Sequence, residues 1–154
     1  LIEEMEKRGY QQYEISNFAK AGFESKHNKT YWLNDEYYGL GAGAHGYVRG
    51  ERHVNAGPLA IYMQMSREGL PRVEQFAVPR EDAMEEQVIL GLRLREGVDL
   101  ARFADRFGVT VHDVFGAIVK EESDKGMLEE RDGFLRLTKQ GLPLGNEVFA
   151  RFLR

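Results

Sequence analysis

The chain has 154 residues, 42% of them apolar and 30% charged, with a net charge of −4 and no cysteine. These values suit one or two small folded domains rather than a disordered chain, and the missing thiols exclude disulfides, a thiolate nucleophile and cysteine-ligated zinc or iron–sulfur centres within it. No apolar run approaches the ~18 residues of a membrane span, neither half has the basic excess that nucleic-acid backbones attract, and the cytoplasm is the expected compartment.

Residues 1–8 read as the end of a helix stopped by Gly9. The pattern begins without an initiator methionine or a helix cap, so we expect it to continue a longer protein. "YQQYEI" reads as a strand in which Tyr13 and Ile15 alternate against Glu14, and helix followed by strand is the repeating unit of an α/β sheet or barrel. From Ser16 to Gly46 no periodicity survives, which predicts a long aromatic-rich and glycine-rich loop. "YVRGERHV" predicts a hairpin turning at Gly50-Glu51, with glycine first as in a type II′ turn. Pro58 opens a helix to about Glu68, Gly69 and Pro71 close it, and "VEQFAVPRED" reads as a linker.

Beyond the linker the patterning is helical. Residues 82–94 predict one helix. Leu100, Phe103, Ala104 and Phe107 form an apolar stripe behind an Asp99 cap, and Val111, Val114, Phe115, Ile118 and Val119 form another behind Thr110. "MLEERDGFLRL" predicts a hairpin about Asp132-Gly133, and a last helix runs from about Leu142 to Leu153 with Pro143 in its first turn. Three helices, a hairpin and a helix is the order of a winged-helix-like module. Its third helix carries Asp113, Glu121, Glu122 and Asp124 against Lys120 alone, so a DNA backbone would be repelled there, and a packing or lid domain is the better expectation.

Two motifs bear on chemistry. "GAGAHG", Gly41 to Gly46, satisfies G-x-G-x-x-G, but a dinucleotide fingerprint must open a helix and this run continues into a hairpin. What remains is a backbone that a ligand or a neighbouring strand can approach closely. In "HNKTYW", His27 is a histidine flanked by aromatics: neutral imidazole is a good ligand for haem iron, Tyr31 and Trp32 can cover a porphyrin, and Asn28 can fix the ring or hold a propionate. The alternative is a histidine hydrogen-bonded in ordinary packing. His45, His53 and His112 have weaker claims, with His112 expected on the solvated surface. Ser16, Ser25 and Ser66 lack a nucleophile-elbow context. Glu14 has two readings, a strand-end acid at a barrel mouth or a structural hydrogen-bond partner.

The run "GYQQYEISNFAKAGFESKHNKTYWLNDEYYGLGAGAHGYV" closely resembles the HemW proteins, haem-chaperone relatives of the oxygen-independent coproporphyrinogen III oxidases in the radical-SAM superfamily. The resemblance continues through "EEQVILGLRLREGVDLARFADRFG" and "GMLEERDGFLRLTKQG", which look like the carboxy-terminal domain of HemN-type proteins. It implies an α+β fold: the last α/β elements of a partial radical-SAM barrel over residues 1–79, then a mainly helical, winged-helix-like HemN carboxy-terminal domain over 80–154. It implies haem as a ligand, with His27 the candidate axial ligand to the iron and Asn28, Tyr31 and Trp32 as support. It also implies S-adenosylmethionine near Gly41, Gly43 and His45, and a [4Fe–4S] cluster whose C-x-x-x-C-x-x-C ligands this cysteine-free chain lacks.

The reading is therefore a carboxy-terminal part of a HemW-like protein that holds haem and passes it to acceptor proteins, catalytically silent by itself. Its rivals are the coproporphyrinogen oxidase reaction, which acts on a metal-free substrate and needs no axial histidine, and a non-catalytic winged-helix module for protein contacts. Unpaired strand edges in the first part lead us to expect association into a homodimer.

Overall fold

Residues 2–153 are described by a computed structural model; Leu1, where the first expected helix begins, lies outside them. In chain order the elements are α1 (Ile2–Lys7), β1 (Gln11–Gln12), β2 (Phe18–Ala19), α2 (Lys26–Trp32), β3 (His45–Val48), β4 (Glu51–Asn55), α3 (Leu59–Glu68), β5 (Arg72–Ala77), α4 (Arg80–Gly91), β6 (Val98–Asp99), α5 (Leu100–Phe107), α6 (Val111–Asp124), β7 (Leu128–Arg131), β8 (Phe134–Leu137), a 3₁₀ turn (Leu142–Leu144) and α7 (Gly145–Arg151). The strands form three small sheets, ordered β1-β2, β3-β4-β5 and β6-β8-β7. The fold is α+β. No helix among the described residues is long and apolar enough to cross a membrane.

The chain packs as two compact units, one comprising everything up to Asn34 together with everything from Met84 onward, the other Asp35–Ala83. The larger unit holds the main core. The expected stripes of α5 and α6 are its walls: Phe103, Phe107, Val111, Phe115 and Val119 are all buried. Leu128, Leu135 and Leu137 close it from β7 and β8, and Val148, Phe149 and Phe152 from the carboxy-terminal helix. Phe115 meets Phe152 edge to face, with ring centres 5.5 Å apart, an arrangement that aromatic quadrupoles favour.

Local signals in this part act as read. The Asp99 carboxylate accepts the Arg102 N–H at 3.0 Å. Thr110 and Asp113 form a reciprocal capping box. Asp132 and Gly133, with φ of 53° and 83°, make the turn between β7 and β8, both central residues left-handed as a type I′ turn requires. One strand was not foreseen. β6 pairs with β8, and Gly97 before it has φ 96° with its Cα facing the Leu135 carbonyl, where a Cβ would collide.

Three expectations for the first part are corrected. Only Gln11–Gln12 of "YQQYEI" pairs in a ribbon, antiparallel with β2. The rest of the run leaves it, because Ile15 N–H bonds the Arg93 carbonyl and Arg95 N–H bonds the Tyr13 carbonyl, each at 3.0 Å. The hairpin turns at Arg49-Gly50, one residue earlier than predicted: Val48 faces Glu51, and φ of 53° and 76° make it type I′ rather than II′. "VEQFA" is a strand and not a linker. β5 completes the β3-β4-β5 sheet, but as an edge strand whose residues are mostly exposed, so its sequence shows no buried alternation.

Phe152 is fully buried, so Phe152→Ala is expected to cost about 3–5 kcal/mol, against about 1 kcal/mol for removing the α6 cap with Thr110→Ala. Urea unfolding followed by circular dichroism measures both. Equal losses would mean that the aromatic layer is not the centre of the larger unit.

Candidate functional site

"HNKTYW" does not lie in an irregular loop. Ser25 adopts an extended conformation and its hydroxyl accepts the Asn28 N–H at 3.3 Å, which caps the seven-residue helix α2. The helix has no buried residue, which is why no apolar period announces it. His27 stands exposed in its first turn. Tyr31, one turn on, meets it edge-on with ring centres 4.8 Å apart and an interplanar angle of 81°, as i,i+4 spacing allows. The Tyr31 hydroxyl lies 3.0 Å from His27 Nε2.

Trp32 behaves differently. Five residues from His27, it points about 140° away around the helix, and the Arg93 guanidinium sits 4.6 Å above its ring centre, a cation–π contact. Its indole N–H is buried without a hydrogen-bond partner, so the ring is held by stacking. Asn28 gives its backbone N–H to the Ser25 cap. The structure thus brings His27 and Tyr31 together and sets Trp32 on another side of α2. Just past the helix, Leu33 and Asn34 offer carbonyls to Gln87 Nε2 at 3.3 Å and Arg106 Nη1 at 3.0 Å.

The glycine run belongs to the smaller unit. It leads into strand β3, not into a helix, so it has no helix N-terminus for a dinucleotide pyrophosphate. Gly41 and Gly43 have φ of 103° and 70°, a region L side chains rarely enter. The loop is nevertheless held firmly. The buried Asn55 side chain donates to the Gly39 and Gly41 carbonyls, both at 3.0 Å, and Gly43 N–H bonds the Ala56 carbonyl at 2.9 Å. Tyr37 and Tyr47 exchange both of their backbone hydrogen bonds. Close approach is real at Gly39 and Gly46, but the neighbour is the protein itself: a Cβ at Gly39 would strike the His45 carbonyl, and one at Gly46 the His53 ring. His45 begins β3 and is exposed.

His53 is 4% exposed. Burial, with the positive charge of Arg72 second, holds its imidazole below the ordinary histidine range. Sequence reasoning missed Asn55, Gln87, Arg93 and Arg106, whose roles are set by what they meet across the fold; their only local signal is polarity beside apolar neighbours. Glu14 is 1% exposed and accepts the Ser16 N–H at 2.8 Å, the structural role of its two readings. His112 pairs with Glu130 at 2.9 Å on the half-exposed surface. No group of three His, Asp or Glu that could hold a metal occurs among the described residues. A cavity of about 720 Å³ beside α1, Arg95 and Lys139 is lined by none of the seven candidate ligand residues.

Residues 78–144 match the family model of the HemN C-terminal domain. The chain is 47% identical over 154 residues to a protein named heme chaperone HemW from Bacillus subtilis (strain 168), covering 99% of this chain and 41% of that one. It is 38% identical over 153 residues to a protein of the same name from Lactococcus lactis subsp. lactis (strain IL1403), covering 99% and 40%. It is also 31% identical to a mitochondrial radical S-adenosyl methionine domain-containing protein 1 of Bos taurus, covering 94% and 36%. The chain therefore spans about two-fifths of the curated relatives it matches. Among solved structures, the Escherichia coli coproporphyrinogen III oxidase HemN, described as a radical SAM enzyme, superposes with a TM-score of 0.72 at 17% identity, covering 98% of this chain and 38% of that one. At that identity it shows the fold alone.

A lowered histidine pKa makes stability fall with acid. In the unfolded chain His53 takes up its proton near pH 6.5; in the fold it does so only at lower pH, so folding is penalised increasingly as pH drops through that window, and not above it. We expect protection of the Tyr47 amide from hydrogen exchange to weaken below pH 6.5 in the native protein and to lose this pH step in His53→Gln. A step unchanged by the substitution would assign it to another group.

Proposed function

Since the chain belongs with the HemW-like proteins of the HemN family, we propose that it binds haem on the α2 surface and, within a longer protein, delivers it to acceptor proteins. The observation that carries this is His27: an exposed imidazole at the start of a capped helix, with an aromatic ring edge-on one turn away. These residues fit the group. Haem iron has axial positions that take a neutral imidazole nitrogen, and His27 is reachable from solvent. Tyr31 steadies the ring through its hydroxyl, and the Nε2 lone pair becomes a ligand once that hydroxyl turns away. Asn28 stands beside it, and Trp32 supports from behind by securing the helix to Arg93.

Two parts of the reading concern the longer protein. The [4Fe–4S] cluster belongs there, because this chain has no cysteine and cluster ligation is by thiolates. Gly41, Gly43 and His45 are proposed to stand near S-adenosylmethionine, a role compatible with the left-handed backbone at the two glycines. We also propose that residues 1–79 derive from the end of a barrel and 80–154 from the carboxy-terminal domain, which the domain match beginning at 78 supports. Leu40, Leu59, Ile61, Met63, Leu70 and Phe76 are exposed in the smaller unit; in this reading the rest of the longer chain or a second copy covers them. The oxidase alternative has no observation of its own, since the likeness to HemN carries the fold only.

Haem titrated into the protein should give a Soret band whose position and affinity depend on His27. His27→Ala should weaken binding at least tenfold, with partial recovery on adding imidazole. Identical spectra and affinities for the two proteins would end the assignment.

A further inference from the structure

A seven-residue helix with no buried side chain does not persist in water by itself. Whatever points from its first turn is aimed by whatever holds its last. At that end the carbonyls of the cap residue Leu33 and of Asn34, one residue beyond it, meet two side chains of the HemN-type domain. Gln87, from α4, donates Nε2 to the Leu33 carbonyl at 3.3 Å, and Arg106, from α5, donates Nη1 to the Asn34 carbonyl at 3.0 Å. Arg106 Nη1 also donates to Gln87 Oε1 at 2.6 Å, so the two donors are tied to each other. Gln87 is 5% and Asn34 4% exposed, whereas Arg106 is an exposed residue whose guanidinium reaches in to them; hydrogen bonds to a charged group are the stronger kind. The guanidinium also brings positive charge to the negative end of the helix dipole. Asn34 itself has φ 52°, the left-handed conformation that terminates helices.

A second tie lies at Trp32, the last residue of the helix. Arg93 stacks on Trp32 and has Phe149 of α7 5.8 Å from its guanidinium carbon, which links the motif helix to the carboxy-terminal helix. Together these ties grip the carboxy-terminal half of α2 and leave the His27 half projecting.

We infer that Arg106, with Gln87, is a positioning residue for His27: the HemN-type domain holds the motif helix by its carboxy-terminal end and so sets how the imidazole is presented. The inference rests on the haem reading for its functional consequence, while the anchor itself is read independently through Trp32, the single tryptophan of the chain.

The test compares the full chain with Arg106→Met, which keeps an unbranched stem but no donor, and with Arg106→Lys, which restores one donor. Hemin is the probe. Arg106→Met should weaken hemin binding on the order of tenfold, the scale of one lost charge-assisted hydrogen bond, and shift the Soret band away from its His27-dependent position, with Arg106→Lys intermediate. Trp32 emission should move to the red in Arg106→Met. Because Arg106 acts through His27, the Arg106→Met/His27→Ala double variant should bind no more weakly than His27→Ala alone.

Unchanged affinity and spectrum in Arg106→Met, or losses that add in the double variant, overturn the positioning role. If His27→Ala binds hemin like the native protein, the haem reading fails instead, and the anchor is then decided by Trp32 emission and by exchange of the α2 amides, an unshifted result overturning it. Should Arg106→Met lose its α6 helix as well, Gln87→Met is judged by the same criteria.

Discussion

A segment too short to build a core must find partners for its backbone elsewhere, and that constraint organises the larger unit. Buried N–H and C=O groups have to be paired, and the chain before Asn34 supplies few partners of its own. β1 and β2 are two residues each, and α2 has no buried residue. The pairing comes from residues 87–106. Arg93 and Arg95 offer a backbone carbonyl and N–H to Ile15 and Tyr13, while Gln87 and Arg106 take the carbonyls that end α2. Between these ties, the buried Glu14 carboxylate accepts the Ser16 N–H, and the Glu14 backbone pairs in an antiparallel bridge with Leu94. Residues 87–106 sit against the buried aromatic layer of Phe103, Phe115 and Phe152 in the same unit.

The same constraint separates what the sequence discloses from what it hides. Asp99, Thr110 and Asp132-Gly133 act within three residues of themselves, by capping or turning, so their types and spacing suffice to place α5, α6 and the β7-β8 hairpin. The stripes of α5 and α6 are legible because each helix turns one face into a core. α2 has no such face, and its one local sign is the Ser25 cap among other loop-forming residues. β5 was hidden for the corresponding reason, as an edge strand with exposed residues on both faces. The pattern places the hairpin before it one residue late, because glycine is acceptable in either turn position and the left-handed Arg49 carries no signature.

The candidate site divides along the same line. That His27 and Tyr31 share a face follows from their spacing once a helix is granted. That Trp32 looks the other way follows as well, yet it becomes apparent only when the helix is known and Arg93 is found above the indole. In and beside the glycine run, glycine is required for two different reasons. Gly39 and Gly46 are small because a carbonyl and the His53 ring occupy the space, whereas Gly41 and Gly43 are there for backbone sign. G-x-G-x-x-G spacing does not distinguish these, since an absent side chain looks the same in sequence whether it makes room or permits a dihedral angle.

The acidic third helix of the winged-helix-like part shows how a charge count misleads until partners are known. Asp113 closes the α6 capping box, where the Thr110 N–H and hydroxyl hold its carboxyl below the usual range. Glu122 is buried against Lys125 at 2.9 Å, and Arg151 of α7 reaches Glu121. Asp124 pairs with Lys120 at 2.6 Å. Four acids on one helix are thus engaged with cap, neighbour or α7, and the pairs at its exposed end are of the weak, salt-sensitive kind. Only Glu121 and Glu122 reach α7, through Arg151, beside the buried Phe115–Phe152 contact that packs the end of α7 on α6. Arg93, between Phe149 of α7 and the ring of Trp32, is the residue through which the carboxy-terminal helix meets the helix that carries His27.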